Sequence, residues 1–206
     1  MKWVGLDSTR KPSGTSGSDL LNAFWLRRHL VYPGGMNNPE LDPDYLPTLL
    51  RYYEAEIMGE AYFYALGTRY KGTPVQHKFD LLAEVERHAA SAVVPLLEKY
   101  SLISRCAPTL KALGVESTKR HLTYSWPEFV AYMVKRYPLY MEEFHGLERI
   151  APNVDQPYLI ALTAHESAAI EFANLEAAGD ERSIDALTAY LATKRPVAPQ
   201  EDSQND

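Results

Sequence analysis

Residues 155–179 read DQPYLIALTAHESAAIEFANLEAAG and carry a clear helical pattern. Their apolar residues recur at spacings of three and four, which is the periodicity of one face of an α-helix. Asp155 stands where helix caps are favoured, and Gly179 stands where helices commonly end. The stretch therefore predicts a helix over residues 156–178, and His165 lies at the centre of its apolar face.

Three further segments share this periodicity, over residues 46–69, 74–100 and 126–150. Pro74 fits the first turn of the second segment, where its missing N–H is tolerated. Strand-like alternation of apolar and polar residues is absent, so the sequence predicts an all-α protein. Capping boxes are expected at two of the helix starts, formed by Thr73 with Gln76 and by Ser125 with Glu128.

The connections between these segments differ in length. The first two segments and the last two are joined by short loops, so each pair is expected to form an antiparallel hairpin. About 25 residues, 101–125, separate the two hairpins. That is enough chain to travel the roughly 36 Å length of a 24-residue helix. We therefore expect a four-helix bundle whose second and third helices are joined by a long crossover.

The ends of the chain differ in composition from the bundle. Residues 1–45 are expected to form an N-terminal arm with a short helix at 20–31, and residues 46–178 to form the bundle. A short C-terminal helix is expected within residues 179–195. Residues 196–206 are polar and contain proline, which is typical of a disordered tail.

Composition narrows the class of protein. The chain has 206 residues, 46% of them hydrophobic and 23% charged, which fits one globular domain. A net charge of −6 without a basic block argues against nucleic-acid binding. Cys106 is the only cysteine, so an internal disulfide and a CxxC metal site are excluded. The sequence has no signal-like or membrane-spanning apolar run, and a cytoplasmic location is expected.

Ionisable residues fall within or beside the apolar faces of all four long segments. A buried ionised carboxylate costs several kcal/mol unless it is paired or bound to a metal. Carboxylate oxygen and imidazole nitrogen are suitable ligands for Fe, Mn or Zn. At a rise of about 1.5 Å per residue, most of these residues can reach one middle layer of the bundle. The candidate ligands are Glu60 (or Glu56), Glu84, His88, His145 and His165, with Glu148 somewhat lower.

A metal-free interpretation competes with this one. A single histidine on an apolar helix face is commonly a core residue hydrogen-bonded to a tyrosine or glutamate, and the faces are rich in tyrosine. The zinc-protease spacing, a glycine-rich phosphate loop and a nucleophile elbow are all missing. The remaining glutamates of the last two segments are expected on a solvated outer face; these are Glu142, Glu143, Glu166 and Glu171.

Glutamates and histidines recur at helical spacing in four stretches: YYEAEIMGEAYFYAL (52–66), LLAEVERHAA (81–90), MEEFHGLE (141–148) and LTAHESAAIEF (162–172). Together they resemble the ferritin-like superfamily, in particular its rubrerythrin and diiron-carboxylate members. The resemblance covers residues 46–178 and implies the two-hairpin bundle with a long crossover. Cytokine-like bundles also have long crossovers, so connectivity alone does not separate the two.

In the ferritin-like family each hairpin contributes a glutamate on one helix and Glu-x-x-His on the other. Glu60 matches the lone glutamate of the first hairpin, and His88 and His165 match family histidines. Val85 and Leu162 stand three residues before those histidines, where the family has glutamate. These departures leave open a histidine-rich site, a mononuclear site or a site that has been lost.

The resemblance implies a metalloprotein that uses Fe, or Mn, as one or two ions, to oxidise a small-molecule substrate with O₂ or peroxide. It assigns no catalytic residue apart from the metal ligands and no organic cofactor. The alternative is a metal-free ferritin-like bundle that acts as a binding or scaffold protein. A homodimer is an open option, and neither nucleic acid nor membrane is expected as a partner.

Overall fold

The computed structural model describes residues 41–194 and 196, which belong to one compact unit, Asn37–Asp206. These residues are helical with no strand among them, and this confirms the expected all-α class. Short 3₁₀ turns occur between several of the helices. The helices are α1 (Tyr45–Gly67), α2 (Pro74–Lys99), α3 (Ala107–Ser117), α4 (Trp126–Arg136), α5 (Pro138–Ile150), α6 (Gln156–Ala177) and α7 (Asp185–Leu191).

Several expectations for the chain ends lie outside the described residues. These are the N-terminal arm up to residue 40, with its helix at 20–31, and nearly all of the tail at 196–206. The helix expected within residues 179–195 is α7, which is shorter than that interval. Among the described residues, no helix combines the length and the apolar character needed to cross a membrane.

The side chains at two helix starts differ in what they do. At α4 the Glu128 carboxylate accepts a hydrogen bond from the backbone N–H of Ser125 at 2.8 Å, which confirms the expected capping box. At α2 the expected box is wrong. Gln76 Oε1 accepts from the N–H of Gly72 at 2.8 Å, while Thr73 makes no capping bond. Gln76 therefore closes the preceding turn, where Gly72 has a positive φ of 77°.

Proline divides one of the long helices. The helix expected over 126–150 is two helices, because α4 ends at Arg136 and α5 begins at Pro138. Proline lacks an N–H and its ring clashes with the preceding turn, which explains the break. Pro95 lies inside α2 without ending it. The break places Tyr137 at the junction, where its side chain is buried.

Pairs of residues that lie against each other on neighbouring helices show the directions of the helices. α1 and α2 are antiparallel, and so are α5 and α6. α1 also runs against α4 and α5, so α2 and the α4–α5 pair run in the same direction. Between α1 and α2, Gly67 lies against Phe79 and Gly59 lies against Glu86. Between α5 and α6, Glu148 contacts Thr163 and Phe144 contacts His165. From α1, Tyr62 contacts Phe129 of α4 and Tyr52 contacts Phe144 of α5.

The long crossover contains a helix that the sequence analysis did not predict. α3 packs along α1, and the two helices approach closely at Gly114. A Cβ atom added to Gly114 would lie 2.2 Å from the carbonyl oxygen of Met58. Before α3, Arg105 donates from its backbone N–H and its Nε to the Glu54 carboxylate, both at 2.8 Å. α1 is therefore covered by α2 and by α3.

Asp155 joins three parts of the chain rather than capping α6. Its side chain makes no capping hydrogen bond, so that expectation is wrong. The carboxylate accepts hydrogen bonds from Tyr45 at the start of α1 (2.8 Å) and from Tyr100 just after α2 (2.6 Å). Lys99 Nζ lies 2.6 Å from its other oxygen. This buried carboxylate therefore ties α1 and α2 to the start of α6.

Candidate metal centre

Two helices, α1 and α6, are covered on several sides. α6 packs against α2, α4, α5 and α7, and α1 packs against α2, α3 and α5. A helix enclosed in this way buries most of its circumference, including positions that an amphipathic helix would expose. As a result Glu56, His165 and Glu166 are only 2%, 2% and 5% exposed.

These buried groups meet a carboxylate from α2. Glu56, Glu86 and His165 each bring one potential ligand atom within 4.8 Å of the others. His165 Nε2 lies 3.3 Å from Glu56 Oε2 and 3.7 Å from Glu166 Oε2. We call these four residues, contributed by α1, α2 and α6, the Glu/His cluster.

The second ring nitrogen of His165 determines what its Nε2 can do. Nδ1 is hydrogen-bonded to the backbone carbonyl of Leu162, and this contact assigns the proton to Nδ1. Nε2 then carries a lone pair, and it faces Glu56 Oε2 as one acceptor facing another. The rings of Phe144 and Tyr190 flank the imidazole, with centroids 5.2 Å and 6.5 Å away. A histidine held by its Nδ1–H with a free Nε2 has the arrangement found in metal-ligating histidines.

The carboxyl groups of Glu56 and Glu86 are hydrogen-bonded to each other, but two other acceptor atoms of the cluster have no hydrogen-bond partner. Among the described residues, the buried side-chain atoms without a hydrogen-bond partner are Glu56 Oε2, Glu166 Oε1 and Arg136 Nη2. Two of the three therefore belong to the Glu/His cluster. Within the described part of the chain, no lysine or arginine nitrogen lies within 4.0 Å of the Glu56, Glu86 or Glu166 carboxylates. Buried polar atoms are normally satisfied, so these oxygens indicate a missing cation or proton.

Burial shifts the pKa of every member of the cluster. It raises the pKa of Glu86 to about 7 and that of Glu56 well above its usual value, with the charge of Glu86 adding to the latter. Burial, followed by the charge of Glu86, likewise raises the pKa of Glu166. Burial lowers the pKa of His165 to about 4, although its backbone hydrogen bond acts in the opposite direction. The cluster therefore holds protons near neutral pH, and a divalent cation would replace them.

The separations fit a transition-metal ion. Two ligands about 2.1 Å from a tetrahedrally coordinated ion stand about 3.4 Å apart. The 3.3 Å between His165 Nε2 and Glu56 Oε2 is close to that value. Carboxylate oxygens with one imidazole suit Fe, Mn or Zn better than softer ions. Glu86 also brings a carboxylate oxygen within 4.8 Å of the ligand atoms of His165 and Glu56.

Of the six ligands predicted from the sequence, only His165 belongs to this cluster. Glu60 is buried beneath α3, with Lys111 Nζ at 3.2 Å and Arg87 Nη1 at 3.7 Å from its carboxylate. The Glu84 side chain is 43% exposed, with Arg87 Nη2 at 4.0 Å. Both carboxylates thus lie beside cationic side chains, and the structure does not bring them to His165.

The other three predicted ligands also lie elsewhere. His88 Nε2 is 3.3 Å from Thr193 Oγ1, and its ring packs edge-on against Tyr190. His145 is exposed. Glu148 accepts a hydrogen bond from a threonine of α6. The expected convergence of these residues with His165 on one layer is therefore not seen.

Sequence reasoning missed three members of the cluster. Glu166 was expected on a solvated face, which is wrong because α6 has neighbours on several sides. Glu56 was considered only as an alternative to Glu60, and Glu86 was not selected. One available signal pointed to Glu86. Gly59 and Glu86 lie at about equal distances from the short turn of the hairpin, so Glu86 is expected beside Gly59 at nearly the height of Glu56.

The fold and the site together define an all-α protein with a buried Glu/His cluster between three of its helices. No family model, curated protein or solved structure matches the chain, so these comparisons assign it to no family.

Proposed function

We propose that the Glu/His cluster binds Fe or Mn, and that the protein is a ferritin-like metalloprotein that oxidises a small molecule with O₂ or peroxide. The observation that carries this proposal is the buried, unpartnered Glu56 Oε2, which lies 3.3 Å from the lone pair of His165 Nε2, together with a second unpartnered oxygen, Oε1, on the neighbouring Glu166 carboxylate. A bound cation would satisfy these acceptors at once.

Each side chain of the cluster would have its own role in such a site. Glu56, Glu86 and His165 would hold the ion, and Glu166 would complete or complement the ligand set. The hydrogen bond to Leu162 keeps the Nε2 lone pair of His165 available. The ion, when bound, supplies open coordination positions and electrons for O₂ or peroxide.

The helix directions support the ferritin-like part of the proposal. Two antiparallel hairpins with α2 parallel to the α4–α5 pair agree with the connectivity that the resemblance implies. Two features are not part of the bundle that the resemblance implies: helix α3 within the crossover, and the break between α4 and α5 at Tyr137. One helix of each hairpin also differs from the family pattern, because the cluster uses Glu86 and Glu166 rather than a Glu-x-x-His pair.

The activity is tested with anaerobic protein loaded with Fe²⁺ and then mixed with hydrogen peroxide. Reduction of one peroxide to two waters consumes two protons and oxidises two Fe²⁺ to Fe³⁺, supplied by two protein molecules if each binds one ion. We expect site-bound iron to be oxidised with this stoichiometry. After unbound iron is removed by anaerobic desalting, Glu56→Gln should retain no iron and give no signal, whereas Glu142→Gln, at an exposed carboxylate, should behave like wild type. Oxidation that is identical in both variants would refute the proposal.

The raised pKa values also support a metal-free interpretation. Protonated Glu56 and Glu86 are neutral, and each could donate a hydrogen bond inside the cluster. The bundle would then act as a binding or scaffold protein. Thermal unfolding with and without Mn²⁺ separates the two functions, because a metal-free bundle gains no stability from the ion.

A further inference from the structure

Gly59 of α1 lies directly against the carboxylate of Glu86. A Cβ atom added to Gly59 would stand 2.2 Å from Glu86 Oε2, 2.8 Å from its Cδ and 3.2 Å from its Cγ. Gly59 is one turn beyond Glu56 on the same helix. Glycine is unfavourable inside a helix, and the backbone here needs no positive φ, so its local conformation does not explain the residue.

We propose that Gly59 is a positioning residue for the metal centre. Its missing side chain leaves the space through which the Glu86 carboxylate reaches Glu56 and His165. This inference rests on the proposed metal binding by the Glu/His cluster. It adds that Gly59 allows Glu86, the ligand from α2, to reach the ion.

The neighbours of the other close-packed glycines are of a different kind. A Cβ atom on Gly114 would meet backbone atoms of Met58, and one on Gly67 would meet the Cβ of Phe79 at 3.0 Å. Neither can move without shifting a helix. At Gly59 the obstacle is the end of a flexible, partly exposed side chain. Gly59→Ala is therefore expected to fold and to displace the Glu86 carboxylate toward solvent.

Loss of Glu86 from the cluster changes the ligand set in a predictable way. One oxygen donor is removed while His165 and Glu56 stay in place. Mn²⁺ depends on oxygen ligands more than Zn²⁺ does, so the affinity for Mn²⁺ should fall by the larger factor. A purely structural effect of Gly59 would not alter the ratio of the two affinities.

The test measures the dissociation constants of Mn²⁺ and Zn²⁺ by calorimetry for four proteins: wild type, Gly59→Ala, Glu86→Gln and the double variant. We expect each single variant to weaken Mn²⁺ binding about 10- to 100-fold, and the double variant to be no weaker than Glu86→Gln alone. Gly146→Ala is the matched control, because its Cβ would meet only the end of Arg149 at 3.6 Å. Mn²⁺ binding by this control should equal that of the wild type.

The outcomes distinguish the inference from the proposed function. If the wild type binds metal but Gly59→Ala has the same affinity, or if the losses add in the double variant, the role of Gly59 is overturned and the proposed function is not. A wild type that binds neither ion would overturn the proposed function and the metal role of Gly59 together. A crystal structure of metal-free Gly59→Ala tests the displacement directly. The Glu86 carboxylate should lie outside the cluster, and a carboxylate that still lies beside Glu56 and His165 would contradict the displacement.

Discussion

His165 Nε2 and Glu56 Oε2 face each other in the core at 3.3 Å; Nε2 is an acceptor because the His165 proton lies on Nδ1, and an ionised Glu56 carboxylate is an acceptor as well. Two acceptors at this distance need a proton or a metal ion between them. Glu166 Oε1, also buried without a partner, adds a further acceptor to the same cluster. The proposed function follows from this relationship, and the predictions below test it from different sides.

Removal of the imidazole should abolish stabilisation by metal. In wild type, Mn²⁺ at 100 times its dissociation constant should add about 2.7 kcal/mol to the free energy of unfolding. His165→Ala should lose nearly all of this gain, because the only nitrogen ligand of the cluster is removed. His145→Ala, at an exposed histidine, should keep it. Thermal unfolding with and without Mn²⁺ measures the difference, and equal gains in both variants would exclude His165 as a ligand.

The stability of the metal-free protein should depend on pH. The pKa of Glu86 is about 7 when folded and about 4.3 in an unfolded chain, so between these values the folded state holds more protons and stability falls as pH rises. His165, at about 4 folded and about 6.5 unfolded, acts oppositely over its own range. Above about pH 6.5 only the carboxyl effect of the cluster remains.

We therefore expect the free energy of unfolding to decrease from pH 6.5 to pH 8, by up to about 1.4 kcal/mol per pH unit for each proton of difference. Urea unfolding at several pH values measures this slope. Glu86→Gln should make the slope shallower, and saturating Mn²⁺ should abolish it, since the metal-bound carboxylates are ionised in the folded state just as they are in the unfolded chain. A wild-type slope that Glu86→Gln leaves unchanged would show that Glu86 does not hold the proton assigned to it.

Most of the helical framework could be predicted from local signals. The expected helices at 46–69, 74–100 and 156–178 differ from α1, α2 and α6 by at most two residues at each end. Prolines in the first turns of α2 and α6 and Gly179 after α6 mark three of these ends through short-range chemistry. α3 was missed because only Leu110 and Gly114 of its residues are buried, so it lacks the apolar stripe that reveals a helix in sequence.

The site was less predictable for a different physical reason. Assigning ligands to one apolar face works only for a helix with one buried side. α1 and α6 are enclosed by several neighbours, so Glu56 and Glu166 are buried at positions that the periodicity places near or beyond the edge of the face. His165 was identified because it lies at the centre of the apolar face, which is buried whether the helix has one buried side or several.

Replacement of Gly114 should destabilise the protein through the α1–α3 contact. The added methyl group of Gly114→Ala would collide with the backbone carbonyl of Met58, which cannot rotate away. We expect a loss of about 1–3 kcal/mol in the free energy of unfolding, as for overpacked cores. Gly146→Ala should show no such loss. Denaturant unfolding checks both variants, and an unaffected Gly114→Ala would contradict the close packing of α3 on α1.

Asp155→Ala should also be strongly destabilising, by a route unrelated to metal. Tyr45, Tyr100 and Lys99 lose their shared acceptor, and the buried Tyr45 hydroxyl is left without its partner. An unsatisfied buried group costs about 1–3 kcal/mol, and this variant should lose at least that much. Mn²⁺ should stabilise the variant by the same increment as wild type if the protein still folds. Loss of that increment in a folded variant would show that the two sites are coupled.

Anomalous X-ray diffraction from crystals soaked in Mn²⁺ locates a bound ion directly. We expect a strong peak inside the bundle, about 2.0–2.3 Å from His165 Nε2 and from carboxylate oxygens of Glu56 and Glu86. The peak should be missing from crystals of His165→Ala soaked in the same way. A cluster without a peak, or a peak beside Glu60 and Glu84 instead, would contradict the proposed metal binding by the Glu/His cluster.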